Sequence, residues 1–240
     1  GKNRSLDVYA GTEGIDFIID GHSHTVMTSG MDGEPVQSTG TRFANIGVVV
    51  VDDKAEIEDH YLIAADGLES DSEVAALTEE IKEKVDAKYN EVIGYSEVEL
   101  EGEREVNRSR MTNNGMITAD ALLWYISNHP ELINDGTDGV LSIQVGGSLR
   151  AEIAQGNVTK KDLFTVHPFG NTVNIVYVTG AELLEVLEAS TFCTPSMIGG
   201  YPHTSGIKFT IDTTMPYDNG ELYPNSTYYR PASINRVTIE

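Results

Sequence analysis

Cysteine is almost absent from this sequence, because Cys193 is the only one in 240 residues. A single cysteine excludes a disulfide framework within the chain and a metal site built from several thiolates. No run of about 18 apolar residues occurs, which is the length that a membrane-spanning helix needs. The sequence therefore predicts neither a disulfide-stapled fold nor a helical membrane span.

Positive charge is also scarce: 16 Lys and Arg residues stand against 38 Asp and Glu residues, a formal net charge of −22. Such a surface repels polyanions, so we expect no nucleic acid polymer and no anionic membrane surface as a partner. A small anionic substrate is still compatible with this charge if a local group of basic residues or a metal receives it. Composition does not predict an oligomeric state.

The first 70 residues carry two predicted strands, over 15–20 and 46–51, with a Gly- and Ser-rich loop over 28–40 between them. Both strands are apolar on both faces, which is typical of a buried sheet. We see no helix in this part that could cover them. We therefore expect residues 1–70 to be the remnant of a larger sheet.

Residues 71–94 are predicted to form a linker helix, because apolar residues recur at three- and four-residue spacing from Ser72 up to Gly94. Residues 95–240 contain both predicted helices and predicted strands. Thr159 and Thr179 each begin a capping-box pattern typical of a helix start. The other predictions here are a helix over 115–127, strands over 140–145, 173–178, 207–211 and 236–239, and a polar loop over 212–233.

Two histidines, His22 and His24, follow the first predicted strand on a Gly-led turn. Ligands gather at the carboxyl ends of strands in α/β proteins, and imidazoles at i and i+2 on a turn can reach one metal or two neighbouring metals. The spacing alone is equally compatible with an ordinary surface pair.

Arginines are concentrated despite the acidic composition: Arg104, Arg108 and Arg110 are three of the eight in the chain. Arg150 follows the Gly pair 146–147, which permits close backbone approach. The planar guanidinium fork suits phosphate or carboxylate. We assign Arg108, Arg150 and Arg110 to an anionic substrate or its ribose, with structural salt bridges as the alternative, which we favour for Arg104.

The aromatic ring of Phe169, between Pro168 and Gly170, is either a core plug or a platform on which a base stacks. The histidines outside the turn are interpreted as structural. We expect His60, His129 and His203 at the surface or in loops, and we favour packing over substrate contact for His167.

Several segments resemble known motifs, in consistent order. Residues 14–25, GIDFIIDGHSHT, resemble the last metal-ligand motif of the calcineurin-like metallophosphoesterases, in their 5′-nucleotidase branch. The 5′-nucleotidase C-terminal domain has motifs similar to segments 107–121, 146–150 (GGSLR), 168–171 (PFGN) and 199–209 of this chain. Val145 and Met111 depart from the pattern common in the family, which bears on base selectivity.

The resemblance implies roles for individual residues. His22 binds one metal and His24 the other, in a site for two divalent metals such as Zn or Mn. The other metal-ligand motifs of the family do not occur in this chain, so we expect an incomplete site and no complete set of catalytic residues. The substrate-binding residues that it implies are Arg108, Arg110, Asn113, Arg150, Phe169, Gly170 and Asn171.

The expected fold is mixed α/β: a metallophosphoesterase sheet remnant over 1–70, the linker helix over 71–94, and an α/β/β/α substrate-binding domain over 95–240, truncated at both ends. The resemblance implies a full-length, exported 5′-nucleotidase that cleaves nucleoside monophosphates, with this part inactive alone. The alternatives are a 2′,3′-cyclic-nucleotide phosphodiesterase with 3′-nucleotidase activity, a UDP-sugar hydrolase, and a nucleotide-binding module without catalysis. We expect an extracellular, cell-surface or periplasmic location.

Overall fold

The computed structural model describes residues 4–240, which divide into two compact units: the first reaches Thr78 and the second runs from Glu79 to Glu240. Both helices and strands occur, so the mixed α/β class is confirmed. Within the described residues no helix is both long and apolar enough to cross a membrane.

The first unit contains a three-stranded sheet and a separate hairpin. Helix α1 (Arg4–Ala10) precedes the strands β1 (Ile18–Asp20), β2 (Val26–Met27) and β3 (Val36–Thr39). The strand order is β1-β3-β2, with β1 and β3 parallel. The hairpin pairs β4 (Asn45–Val51) with β5 (Ile57–Ala64).

The loop prediction over 28–40 is wrong at its carboxyl end. Strand β3 lies there in the centre of its sheet, and Val36, Gln37 and Ser38 are buried. Polar residues in a central strand hide the apolar pattern by which a strand is recognised. Helix α1 was also not predicted, and neither was the hairpin partner β5.

The linker helix is shorter than predicted. Helix α2 covers Ser72–Tyr89, and the boundary between the units falls within it. Strand β6 (Val92–Ser96) follows and includes Gly94, because it pairs antiparallel with β8 (Gly156–Thr159). Pairing with a strand distant in sequence overrides the local helical pattern here. The domain boundaries at 70 and 94 stay predictions.

Beyond the end of α2, the second unit contains four α-helices and four strand pairs. The helices are α3 (Arg104–Asn107), α4 (Asn113–Ser127), α5 (Lys160–Val166) and α6 (Gly180–Ser190). Both predicted capping boxes are confirmed, Thr159 with Asp162 and Thr179 with Glu182.

Besides β6 with β8, three further antiparallel pairs form. They are β7 (Ser142–Val145) with β9 (Pro202–Ser205), β10 (Phe209–Ile211) with β13 (Val237–Ile239), and β11 (Asn219–Leu222) with β12 (Tyr229–Pro231). The last pair lies inside the segment 212–233, so the prediction of a plain loop there is wrong.

The predicted strand over 173–178 does not form. Within residues 4–240 no backbone group of this segment is hydrogen-bonded to another backbone group. Its apolar side chains are exposed, and Val176 is 74% exposed. The apolar pattern of a strand is present, but no neighbouring strand in the described part of the chain completes the ladder.

The buried apolar cluster of the second unit consists of Leu100, Leu149, Ile153 and Val166. Leu100 and Ile153 exchange two backbone hydrogen bonds, of 2.8 and 3.1 Å. Arg150 follows Leu149 directly, and its N–H donates to the Val166 carbonyl at 3.0 Å. The core therefore fixes the backbone from which the Arg150 side chain extends.

A buried carboxylate joins helix α6 to the last strand. Glu188 is fully buried, and its carboxylate accepts backbone N–H groups of Asn235, Arg236 and Val237 at 2.8–3.2 Å. The Arg236 guanidinium donates to the carbonyls of Thr191 and Thr194, both at 2.6 Å. The carboxylate satisfies donors that would otherwise be buried without a partner.

We predict that Glu188→Leu lowers the free energy of unfolding of this unit by about 3 kcal/mol, because several buried N–H groups lose their acceptor. Urea unfolding followed by the fluorescence of Trp124, the single tryptophan, measures the change. The exposed Glu221 is the matched control, and Glu221→Leu should change stability by less than about 0.5 kcal/mol. Equal effects of the two variants would contradict this role of Glu188.

Candidate functional site

Three arginines of the second unit lie close enough for their charges to interact. Arg104 begins helix α3, Arg108 follows its end, and Arg150 comes from the loop after the Gly pair. Burial lowers the pKa of Arg108 from its ordinary value, and the charges of Arg104 and Arg150 lower it further. Three guanidinium groups are thus held together although they repel one another.

Among residues 4–240, no carboxylate forms an ion pair with this arginine cluster (Arg104, Arg108 and Arg150), because all the ion pairs there involve other basic residues. In the same part of the chain, the Nε atom of each of the three arginines is buried without a hydrogen-bond partner. Arg104 Nη1 contacts the Met197 sulfur, at 4.0 Å. The predicted salt bridge of Arg104 is therefore wrong, and the cluster is an unneutralised positive site.

The buried Asn107 holds the loop that carries Arg108. Its side-chain amide donates to the Glu101 carbonyl at 3.1 Å and accepts from the Thr112 hydroxyl at 2.5 Å. Its backbone carbonyl accepts from His203 Nε2 at 2.9 Å. A carbonyl can only accept, so Nε2 carries the proton and Nδ1 does not. Asn107 thereby joins α3, α4 and β9.

The loop before Arg150 approaches the same asparagine closely. A Cβ atom at Gly146 would lie 1.9 Å from the Asn107 carbonyl oxygen, so only glycine fits. The N–H of Gly146 donates to the Tyr201 carbonyl at 2.8 Å. This close approach brings the Arg150 loop to the Arg108 loop.

Phe169 lies beside the cluster. The Arg150 guanidinium carbon sits 4.8 Å from the centroid of the Phe169 ring, a cation–π contact. The ring is 54% exposed, so it is not a core plug. Gly170 has a φ of 59°, in the left-handed region, which turns the chain directly after the ring.

A cavity of about 480 Å³ is lined by Phe169 but not by Arg150. Its wall contains Gly170 and Asn171 as well as the polar residues Thr118, Gln144, Ser148 and His167. An aromatic surface with a few polar groups beside it is the usual composition of a small-molecule site. Phe169 therefore contacts the arginine cluster through Arg150 and also lines this cavity.

The histidine turn of the first unit is strained. His22 and His24 have φ values of 37° and 60°, which residues with a side chain seldom adopt. The turn follows β1, and the Asp20 carboxylate accepts the Gly21 N–H at 2.6 Å. Both imidazoles are exposed. Within residues 4–240 no group of three or more His, Cys, Asp or Glu could hold a metal ion.

The sequence profile of the 5′-nucleotidase C-terminal domain matches residues 92–226, more than half of the chain. The chain belongs to this family. It is 30% identical over 225 residues to the trifunctional nucleotide phosphoesterase protein YfkN of Bacillus subtilis, covering 88% of this chain and 15% of that protein. It is 29% identical over 230 residues to Protein 5NUC of Lutzomyia longipalpis, covering 82% and 40% respectively.

Comparison with solved structures agrees on the fold. The 5′-nucleotidase precursor from Thermus thermophilus has a TM-score of 0.57 and 23% identity, covering 93% of this chain and 48% of that one. The chain thus spans less than half the length of these relatives. The matched region 92–226 contains the arginine cluster and Phe169, whereas the histidine turn lies outside it.

Arg110 and Asn113, which the resemblance assigned to substrate, are not part of the arginine cluster. Arg110 is exposed and is not among the charges that act on Arg108. The Asn113 side chain donates to the Glu99 carbonyl at 2.7 Å and accepts from the Glu101 N–H at 2.9 Å. The substrate roles of Arg110 and Asn113 stay predictions.

Sequence reasoning missed several residues of this domain that the structure brings to the site. Arg104 was assigned to a salt bridge, and its place at the start of α3, four residues before Arg108 directly after the helix, is the signal that could have grouped the two. Gln144 carries no comparable signal. The surface-or-loop prediction is wrong for His203, which is fully buried. His60 is half-buried and lies in strand β5, not in a loop, with its ring against Phe17. His129 lies in a loop, as predicted, and its Nδ1 is 3.0 Å from the Glu131 carboxylate.

We predict that His203 makes the domain less stable in mild acid. Burial lowers the pKa of His203 below the ordinary value near 6.5. In mild acid the unfolded chain therefore binds a proton at His203 that the folded chain does not bind. The contribution of neutral His203 to the free energy of unfolding is fully present above about pH 6.5. It is lost as the pH falls below that value, by up to about 1.4 kcal/mol per pH unit.

His203→Gln retains an N–H donor for the Asn107 carbonyl but does not titrate. Unfolding in urea at pH 7.5 and 5.5 should therefore show a smaller loss of stability for this variant than for the unchanged protein. The comparison cancels the other titrating groups, including His167. Identical losses in both proteins would show that His203 does not titrate on unfolding.

Proposed function

We propose that this chain carries the substrate-binding part of a metal-dependent 5′-nucleotidase, which hydrolyses nucleoside monophosphates to nucleoside and phosphate. The observation that supports this most directly is the arginine cluster beside Phe169, in a chain whose net charge is −22. The family membership supports the same function.

The arginine cluster has the properties of an anion site. Burying guanidinium groups without a counter-charge costs free energy, which is recovered only when an anion binds. Acidic residues outnumber basic ones more than twofold in this chain, yet none pairs with the cluster within residues 4–240. Guanidinium forks bind phosphate oxygens in a bidentate manner. We assign the phosphate and ribose of the substrate to Arg104, Arg108 and Arg150.

The cavity beside Phe169 receives the nucleoside in this proposal. A base has an apolar face that can stack on the ring and a polar edge that needs hydrogen bonds. Asn171, Gln144 and Ser148 form no side-chain hydrogen bond within the described residues, so their polar atoms can pair with a ligand. Gly170 leaves the backbone beside the ring uncrowded.

The metal part of the proposal rests on His22 and His24. Imidazole suits Zn, Mn or Fe, and a bound metal supplies an activated water for phosphate ester hydrolysis. The strained turn fits two such ligands, but two imidazoles alone do not hold a metal tightly. We therefore propose that this chain binds nucleotide without turning it over. Phosphate release from AMP with Mn²⁺, abolished by His22→Ala, would contradict that.

The position of the ester bond is a separate question. The relative YfkN is called a trifunctional nucleotide phosphoesterase, and UshA is another relative of the chain. A site that holds the base and the anion separately suits 2′,3′-cyclic nucleotides, 3′-nucleotides and UDP-sugars as well. Phosphate release from AMP, cyclic nucleotides and UDP-glucose by the full-length protein distinguishes these activities.

We also propose an extracellular, cell-surface or periplasmic location. The support is the relationship to a venom protein, the snake venom 5′-nucleotidase of Gloydius brevicauda, which is 23% identical over 229 residues.

We predict that Arg108→Gln and Arg150→Gln each weaken AMP binding by roughly 10- to 100-fold, the value of one charge-assisted hydrogen bond. Titration calorimetry at low ionic strength measures the dissociation constant. Adenosine lacks the phosphate, so Arg108→Gln should change its affinity much less.

The matched control for both variants is Arg230→Gln. Arg230 is exposed and paired with Glu185 at 3.2 Å, away from the arginine cluster. It should leave AMP affinity unchanged. An Arg108→Gln variant that is folded and binds AMP normally would overturn the proposed anion site.

A further inference from the structure

His167 stands in the wall of the cavity beside Phe169. It directly follows helix α5 (Lys160–Val166), and its N–H donates to the Leu163 carbonyl at 2.8 Å. This bond fixes the backbone two residues before Phe169. The imidazole is half-buried and lines the same cavity as Phe169 and Asn171.

The His167 ring contacts one hydroxyl, and that contact determines its tautomer. Nε2 lies 3.5 Å from the Thr118 hydroxyl oxygen. The Thr118 hydroxyl donates its proton to the Asn114 carbonyl at 2.8 Å, so it can only accept from His167. Nε2 therefore carries the proton, and Nδ1 is left as a hydrogen-bond acceptor.

The surroundings keep this ring neutral. Burial lowers the pKa of His167 from its ordinary value, and no carboxylate of the described residues opposes this. The other residues that line the cavity carry no charge; they include Thr118, Gln144 and Ser148. Arg150 contacts the Phe169 ring but does not line this cavity. Protonation of Nδ1 is thus disfavoured at neutral pH.

We propose that His167 contacts the edge of the nucleobase that stacks on Phe169 and favours bases with an exocyclic amine over bases with a carbonyl at that edge. The inference rests on the proposed nucleotide-binding function. An unprotonated ring nitrogen accepts a hydrogen bond from an amine, whereas it repels the lone pairs of a carbonyl oxygen. Sites that are built to pair with an N–H group discriminate against analogues that lack it.

Adenosine and inosine test the inference, because the exocyclic amine of adenosine is a carbonyl in inosine. The adjacent ring nitrogen also changes, from an acceptor in adenosine to an N–H donor in inosine. Calorimetry should show that adenosine binds at least about fivefold more tightly than inosine, the value of one net hydrogen bond. His167→Leu removes the acceptor and should bring this ratio close to one. His167→Asn keeps an acceptor near the position of Nδ1 and should retain the preference.

Two further variants separate a ligand contact from packing. His129→Leu removes an imidazole that pairs with Glu131 in a loop, and it should leave the ratio unchanged. Thr118→Val removes the acceptor that holds the proton on Nε2, so the ratio should fall although His167 is present. Unfolding followed by Trp124 fluorescence verifies that each variant is folded. Thr118→Val keeps the test decisive should His167→Leu not fold.

An adenosine-to-inosine ratio that is the same in the unchanged protein, His167→Leu and Thr118→Val would overturn the inference. If AMP binding still depends on Arg108 and Arg150 in that case, the proposed function stands and only the role of His167 fails. If the unchanged protein binds neither AMP nor adenosine, both proposals fail together.

Discussion

The hydrogen bond from His203 Nε2 to the Asn107 carbonyl, at 2.9 Å, joins the loops from which the candidate site is built. Both residues are fully buried, and Gly115 and Gly146 leave the space that the ring and the carbonyl occupy. Arg108 directly follows Asn107, and the Gly pair precedes Arg150 by three residues. Loss of this bond would leave the Asn107 carbonyl, directly before Arg108, unsatisfied in the interior. The positions of the cationic groups therefore depend on a neutral polar network behind them.

Electrostatics and packing act against each other at this site. Arg104, Arg108 and Arg150 repel one another, and the domain does not relieve that repulsion with its abundant carboxylates. The backbone that bears them is instead held by the apolar cluster around Leu149 and by the buried asparagine. In the proposed function, this repulsion would be relieved when a phosphate binds, so the unliganded domain would be prepared for an anion at the expense of stability.

Phe169 links the two halves of the site. The Arg150 guanidinium lies over the ring at 4.8 Å, and the cavity with His167 and Asn171 meets the ring elsewhere. In the proposed function, this one ring would contact both the charged and the planar part of the nucleotide. Val173 and Asn174 also line this cavity, and they begin the segment 173–178, whose backbone has no backbone hydrogen-bond partner within the described residues.

Much of this could be predicted from the sequence. The capping boxes at Thr159 and Thr179 and helix α4 follow from local chemistry, because caps and periodicity involve residues near in sequence. For Phe169 the sequence left a core plug and an exposed platform both open, and the substrate role of Arg108 and Arg150 stays a prediction. Other features could not be predicted locally: strand β3 with its polar residues, the early end of α2, the burial of His203, and the unneutralised state of Arg104. Each depends on a partner far along the chain, such as β8 for β6 or Asn107 for His203. The sequence alone determined which chemical groups are available; only tertiary contacts decided which of them are buried, paired or left to meet a ligand, because desolvation and pairing depend on neighbours that folding brings together.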